Sequence, residues 1–183
     1  MNLKKFKFKK INSTNDLAIK IIKNKNIKAG IVIAESQKKG KGQYGKKWIS
    51  HKGNLFVTIF FPLDKIKLSL IELTSINCLL VKKILSEFYK GKIKVKKPND
   101  LLVKKKKVSG ILQETLSKSD STFIIVGIGI NLIKNPKITN YPTTNLYDLT
   151  NVKIKSDIIA LKIKKLYEKF IPIFPKFNIK NIN

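Results

Sequence analysis

Residues 93–131 read IKVKKPNDLLVKKKKVSGILQETLSKSDSTFIIVGIGIN. Apolar runs at 93–95, 101–103, 108–116 and 123–130 have the length of strands. The Pro98-Asn99-Asp100 turn and the lysine run 104–107 interrupt them, the latter placed as a solvated hairpin tip. Four strands in succession predict a meander. Upstream, Leu73, Ile76, Leu80, Ile84 and Phe88 recur at three- and four-residue spacing, which predicts a long amphipathic helix over 69–89. Before it, runs at 29–34 and 55–61 read as strands, the second ended by Pro62, around a polar, glycine-bearing loop at 35–50. Leu3, Phe6 and Phe8 suggest a first strand. Ser13 or Thr14 then caps a helix carrying Leu17, Ala18, Ile21 and Ile22 on one face. Downstream, Pro136 and Pro142 mark a loop, and Ser156-Asp157 opens a last helix with Ile159, Leu166 and Phe170 inward, stopped by Pro172 and Pro175. Strands partly sequential and partly separated by helices predict an α+β fold on a mixed β-sheet flanked by helices.

The chain has 183 residues, 43% of them hydrophobic, the size of one globular domain. Lys+Arg total 39 against 11 Asp+Glu, a net charge of +28, and all the basic residues are lysine. Such charge makes nucleic acid the first partner to weigh, through counterion release from phosphates. Against it, the lysines run through every segment together with abundant Ile and Asn, the pattern of an A/T-rich coding sequence rather than of one basic face. The lone cysteine, Cys78, excludes an intrachain disulfide and a multi-thiolate metal site, and fits a reducing compartment. The basic start MNLKKFKFKK has no apolar run behind it, and no stretch is long enough to span a bilayer. A cytoplasmic protein without membrane contact is expected.

Four segments carry chemistry. In Gly40-Lys41-Gly42-Gln43-Tyr44-Gly45-Lys46-Lys47-Trp48, glycines let backbone amides approach an anion and lysines supply charge. The pattern is neither a Walker A loop nor a dinucleotide fingerprint, and by itself it is read as a flexible surface loop in a lysine-rich chain before it is read as an anion site. Trp48 is a flat aromatic that can pack on a purine or lock the loop. In Lys96-Lys97-Pro98-Asn99-Asp100, cations border a turn, and Lys107-Val108-Ser109-Gly110-Ile111-Leu112 brings a glycine into an apolar strand, where a ligand can lie against backbone. Gly127 and Gly129 leave one strand face bare for a packed helix or a ligand, and Asn131 closes that strand with a donor and an acceptor. Ser13-Thr14-Asn15 is a helix cap that could also meet a small neutral polar group. His51 and Cys78 read as surface and core residues.

In this order and spacing, over residues 13–131, the segments resemble the catalytic domain of biotin protein ligases. The family pattern comprises Ser-Thr-Asn, a Gln before a Gly-Arg-Gly-Arg-x-Gly-Arg-x-Trp loop, Lys-Trp-Pro-Asn-Asp, Lys-x-x-Gly-Ile-Leu and Gly-x-Gly-Ile-Asn. The resemblance implies a class II aminoacyl-tRNA synthetase/biotin ligase-like catalytic domain over 1–175 and a short tail at 176–183. It implies that biotin's carboxylate attacks the α-phosphorus of ATP, and that a lysine of the biotin carboxyl carrier protein of acetyl-CoA carboxylase then takes the biotinyl group. Ser13, Thr14, Asn15 and Gln37 would meet the ureido ring. Gly40, Lys41, Gly42 and Gln43 would close over biotin, beside Gly110 and Leu112, with Lys107 at the carboxylate end. Lys46, Trp48, Asn99, Asp100, Gly129 and Asn131 would handle the nucleotide, and Lys96 matches the family's catalytic lysine. Mg²⁺ is expected with ATP, without an assigned protein ligand.

The sequence also departs from that pattern. Lys41, Gln43 and Lys46 replace arginines and Lys97 replaces a tryptophan; lysine keeps charge without the bidentate fork, and Gln43 loses the charge. A weaker hold on the adenylate is the expectation. Neither the helix-turn-helix of repressor-type relatives nor the small β-barrel that commonly follows the domain is recognisable, so specific DNA binding is not expected. A homodimer is one of two arrangements the family adopts. The alternatives are a lipoate or octanoate ligase, which shares the adenylate logic, and a basic nucleic-acid-binding relative without catalysis.

Overall fold

The computed structural model describes residues 1–64, 66–139 and 141–176. The expected tail thus lies, apart from residue 176, outside the described residues. Seven strands form one sheet: β1 (Lys4–Ile11), β2 (Gly30–Gln37), β3 (Leu55–Pro62), β4 (Ile93–Lys96), β5 (Asp100–Val103), β6 (Lys106–Lys118) and β7 (Ser121–Ile130), in the order β1-β2-β3-β7-β6-β5-β4. β1 and β2 run parallel, joined by the crossover helix α1 (Thr14–Asn24), and every other neighbouring pair is antiparallel. The expected mixed sheet and the meander of the last four strands are both present.

Local chemistry fixes the helix ends. Ser13 Oγ accepts from Asp16 N at 3.3 Å, capping α1. α2 (Leu70–Phe88) opens on a reciprocal box in which Ser69 and Glu72 each bond the other's backbone amide, so Ser69 and Tyr89 are its caps. α3 (Leu146–Thr150) sits in the segment read as loop; a helix of five residues is too short for a periodic signal, and its evidence is Asn145 Oδ1 accepting from Asp148 N at 2.8 Å. α4 (Ser156–Phe170) buries Ile159, Ala160, Ile163 and Tyr167, while Leu166 and Phe170 are half-buried. Pro62 is the last residue of β3 rather than the one after it, and β2 extends to Gln37.

The hairpin tip is tighter than the lysine run implied. Lys104 and Lys105 take the left-handed region, φ 47° and 64°, as a two-residue turn requires, and strand pairing resumes at Lys106. Lys107 therefore belongs to β6.

The two sheet faces differ. One is covered by α2 and α4: Leu55, Val57, Ile59 and Phe61 of β3 and Ile124, Val126, Ile128 and Ile130 of β7 join the larger apolar core there. On the other, α1 buries Ala18, Ile21 and Ile22 with Val32, Phe60, Phe123 and Ile125 in a smaller core. That smaller core covers only part of its face, and the remainder forms the site.

Candidate active site

Along β7 the residues on the α1 face are Phe123, Ile125, Gly127 and Gly129, so side chains stop halfway. Leu112 and Gly110 of β6 stand opposite Gly127 and Gly129. Two side chains from elsewhere in the chain cover this bare backbone, one from the helix expected to pack there and one from the glycine loop. The Asn15 amide lies against Gly127, leaving no room for a Cβ there. The Trp48 indole lies across Gly129 and Gly110, where a Cβ on Gly110 would stand 2.9 Å from Trp48 Cζ3. Between these groups opens a cavity of about 370 Å³.

One end of the cavity is lined by neutral polar side chains, with the Glu114 carboxylate behind them. Thr14 N and Oγ1 donate to Gln37 Oε1 at 2.7 and 3.0 Å, and Gln37 Nε2 donates to Ser50 Oγ at 3.2 Å. Asn15 is buried, accepting from Thr58 Oγ1 at 2.5 Å and donating to Glu114 Oε2 at 2.6 Å. Each of these amides retains a second hydrogen beyond those bonds. With the Ser13 and Thr14 hydroxyls they offer donors and acceptors within a small neutral cluster.

The other end is cationic. The lining as a whole holds seven lysines (41, 46, 47, 96, 97, 105 and 107), of which Lys41 lies beside the polar end, and a single carboxylate, Asp100. Lys107 reaches the cavity because the β5–β6 register shifts between Leu101 and Leu102: Leu101 pairs with Ser109 but Leu102 with Lys107. The extra residue turns Lys107 onto the face of Gly110, whose Cβ would stand 3.2 Å from Lys107 Nζ. Asp100 pairs with that ammonium at 2.6 Å, and the rings of Trp48 and Tyr141 face it at 5.5 and 5.4 Å. Lys96 differs: it is exposed on the rim and has no ion pair among the described residues. Asn99 Nδ2 donates to Ile111 O at 2.6 Å, tying the turn, whose Lys97-Pro98 bond is cis, to β6. Cys78 Sγ donates to Pro98 O at 3.8 Å from beneath, and burial pushes its pKa up to about 12, as suits the core role expected of it.

The glycine loop closes on itself. Gly42 N donates to Lys46 O at 2.7 Å and Trp48 N to Gly40 O at 2.9 Å, around left-handed Tyr44 and Gly45. Lys41 pairs with Asp16 of α1, and this hydrogen bond raises the lysine pKa above 10.5.

Every residue expected in the site lines the cavity except Gly40 and Asn131. Gly40 is buried behind the loop, where a Cβ would stand 2.5 Å from Trp48 O. Asn131 is buried too, and its side chain donates to Thr144 O at 3.1 Å rather than facing the cavity. Sequence reading missed Phe56, Thr58, Glu114 and Tyr141. Strand alternation from Gly110 and Leu112 points to Glu114 on the site face, whereas nothing local marked Tyr141, which arrives from a loop.

The arrangement defines the class first: a mixed seven-stranded sheet with helices, in the class II aminoacyl-tRNA synthetase-like catalytic fold of biotin protein ligases. The profile described as the Biotin/lipoate A/B protein ligase family matches residues 7–131, and the chain belongs to that family. The bifunctional ligase/repressor BirA of Escherichia coli is 35% identical over 125 residues, 67% of this chain and 38% of that protein. The biotin--[acetyl-CoA-carboxylase] ligase of Paracoccus denitrificans is 30% identical over 68% of this chain and 52% of its own length. The chain thus spans between a third and about half of these curated relatives. A biotin protein ligase from Aquifex aeolicus, solved in complex with biotin and ATP, superposes with a TM-score of 0.83 at 30% identity, covering 98% of this chain and 75% of that one.

Proposed function

We propose that the protein is a biotin protein ligase. Biotin's carboxylate oxygen attacks the α-phosphorus of ATP, the bond to the β-phosphate breaks, and pyrophosphate leaves. A lysine amine of a biotin carboxyl carrier domain then attacks the acyl carbon of biotinyl-5'-AMP, losing a proton as AMP departs. The observation carrying this reading is the polarity of one cavity, neutral donors and acceptors at one end and a held ammonium at the other. A urea-type ring fits the first and two converging anions the second.

The cation offsets carboxylate–phosphate repulsion and stabilises charge developing on the α-phosphate oxygens. The resemblance gives the catalytic part to Lys96 and the carboxylate end to Lys107. Their surroundings rank them: a half-enclosed, pre-positioned Lys107 stabilises a transition state more than a solvated Lys96 on the rim. Trp48, over Gly129, offers a flat surface for a purine. No covalent enzyme intermediate is required. Mg²⁺ would enter with the ATP phosphates; the described residues contain no cluster of three or more His, Cys, Asp or Glu side chains that could hold it alone.

The carrier of acetyl-CoA carboxylase is the proposed acceptor, in keeping with the name of the Paracoccus relative. A cytoplasmic setting is part of the proposal; among the described residues no helix is long and apolar enough to cross a membrane. Biotin-dependent exchange of labelled pyrophosphate into ATP tests the reading. Exchange is expected with biotin and not with octanoate. Exchange driven by octanoate alone would transfer the site to the lipoate branch, and none with either acid would overturn the assignment.

A further inference from the structure

The segment 141–146 is stitched to the cavity at several points. Lys107 N donates to Pro142 O and Thr144 N to Lys107 O, both at 2.9 Å, making a short parallel bridge between Lys107 and Thr143. Asn131 anchors the same segment, its side-chain Nδ2 donating to Thr144 O at 3.1 Å and its backbone carbonyl accepting from Leu146 N at 3.0 Å. Asn135 Nδ2 donates to Thr143 Oγ1 at 2.9 Å. This network is larger than a surface connection requires. Its product is one placement: the Tyr141 ring against the Lys107 ammonium, which the Trp48 ring and the Asp100 carboxylate also contact.

We propose that Tyr141 is a positioning residue that holds the Lys107 ammonium in the cavity, with Asn131 acting one step further back by fixing the strap that carries the ring. The catalytic consequence rests on the ligase reading; the placement does not. A lysine side chain on its own samples many rotamers, and only an ammonium already aimed at the reacting oxygens lowers the barrier without reorganising. Asp100 alone is insufficient for this, because a carboxylate attracts the ammonium from any direction. The two rings add contacts of fixed direction, since a cation is attracted to a ring face. The interaction belongs to the ring and not to the hydroxyl, so Phe should substitute and Leu should not.

Two measurements separate the placement from its catalytic use. In protein carrying ¹³C-labelled lysine, the ε-CH₂ resonance of Lys107, assigned from its absence in Lys107→Gln, should be shifted upfield by the two rings. It should move downfield in Tyr141→Leu and stay in Tyr141→Phe. Biotin-dependent pyrophosphate exchange should then fall about tenfold in kcat for Tyr141→Leu, the size expected of one desolvated cation–ring contact. Tyr141→Phe should restore it. Added to Lys107→Gln, Tyr141→Leu should cost nothing further, because the ring acts through the missing cation. Multiplicative losses would make Tyr141 a direct ligand contact and overturn the proposal, as would a Lys107 resonance indifferent to the ring. If the wild type shows no exchange, the ligase reading fails, and the resonance still decides whether Tyr141 holds Lys107.

Discussion

Two halves of one sheet face show how the same strands serve two ends. At the Phe123 and Ile125 end, β7 presents large side chains and α1 packs on them. Two residues further on, Gly127 and Gly129 present backbone, and what lies there is an amide, an indole and a cavity. The first half contributes stability through burial and the second gives part of it up for space. The opposite face has no such division, since Ile124, Val126, Ile128 and Ile130 all pack into one core along the same strand.

Substitutions that exchange the two halves should break the contrast. The largest effect on activity is expected from Lys107→Ala, roughly 100-fold or more in pyrophosphate exchange, as for loss of a positioned charge stabiliser. Lys96→Ala should cost about tenfold, as fits a solvated charge on the rim. If Lys96 proved the costlier of the two, the ranking by enclosure would be wrong. Next in size is the packed half: Phe123→Ala should lower unfolding stability by about 3–5 kcal/mol, measured in urea, while protein that remains folded keeps its exchange rate.

Much of this was legible beforehand. Apolar runs bounded by turn residues showed the strands, three- and four-residue spacing showed α2, and Gly127-Ile128-Gly129 showed a bare face. What occupied that face was not legible, because Asn15 and Trp48 reach it from elements distant in sequence. The extra residue at Val108, which turns Lys107 inward, was equally invisible, since a bulge appears only when two strands are paired. Lys107 was read as part of a solvated tip for that reason. Tyr141 lies between Pro136 and Pro142 and in no periodic pattern, so only the folded strap reveals it.

Smaller effects sharpen the same picture. The departure at Gln43 predicts that biotinyl-adenylate escapes during turnover without carrier, and that Gln43→Arg, which restores a bidentate cation, slows its release severalfold. Undetectable adenylate in a chromatographic assay of the wild type would contradict this. Cys78 lies beneath the Pro98 turn with a thiol pKa near 12, so a thiol reagent at pH 8 should label it only after denaturation. The Lys41–Asp16 tether should matter least. The Lys41 pKa is raised in the folded protein, so the pair's contribution is fully present below about pH 10.5 and lost as pH climbs through the higher folded value. Trp48 fluorescence should therefore report no tether-dependent loosening of the loop between pH 6 and 9, since the lysine stays charged throughout that range.

The most direct test concerns the bare half of the face. A methyl group on Gly129 would collide with the Trp48 indole while leaving the apolar cores untouched. Calorimetric titration of biotin, followed by ATP, should give saturable heats with the wild type. With Gly129→Ala the nucleotide heat should be lost or weakened at least tenfold, with the melting temperature nearly unchanged. Equal heats from the two proteins, or none from the wild type, would contradict the claim that Gly129 and the indole seated on it form the binding floor.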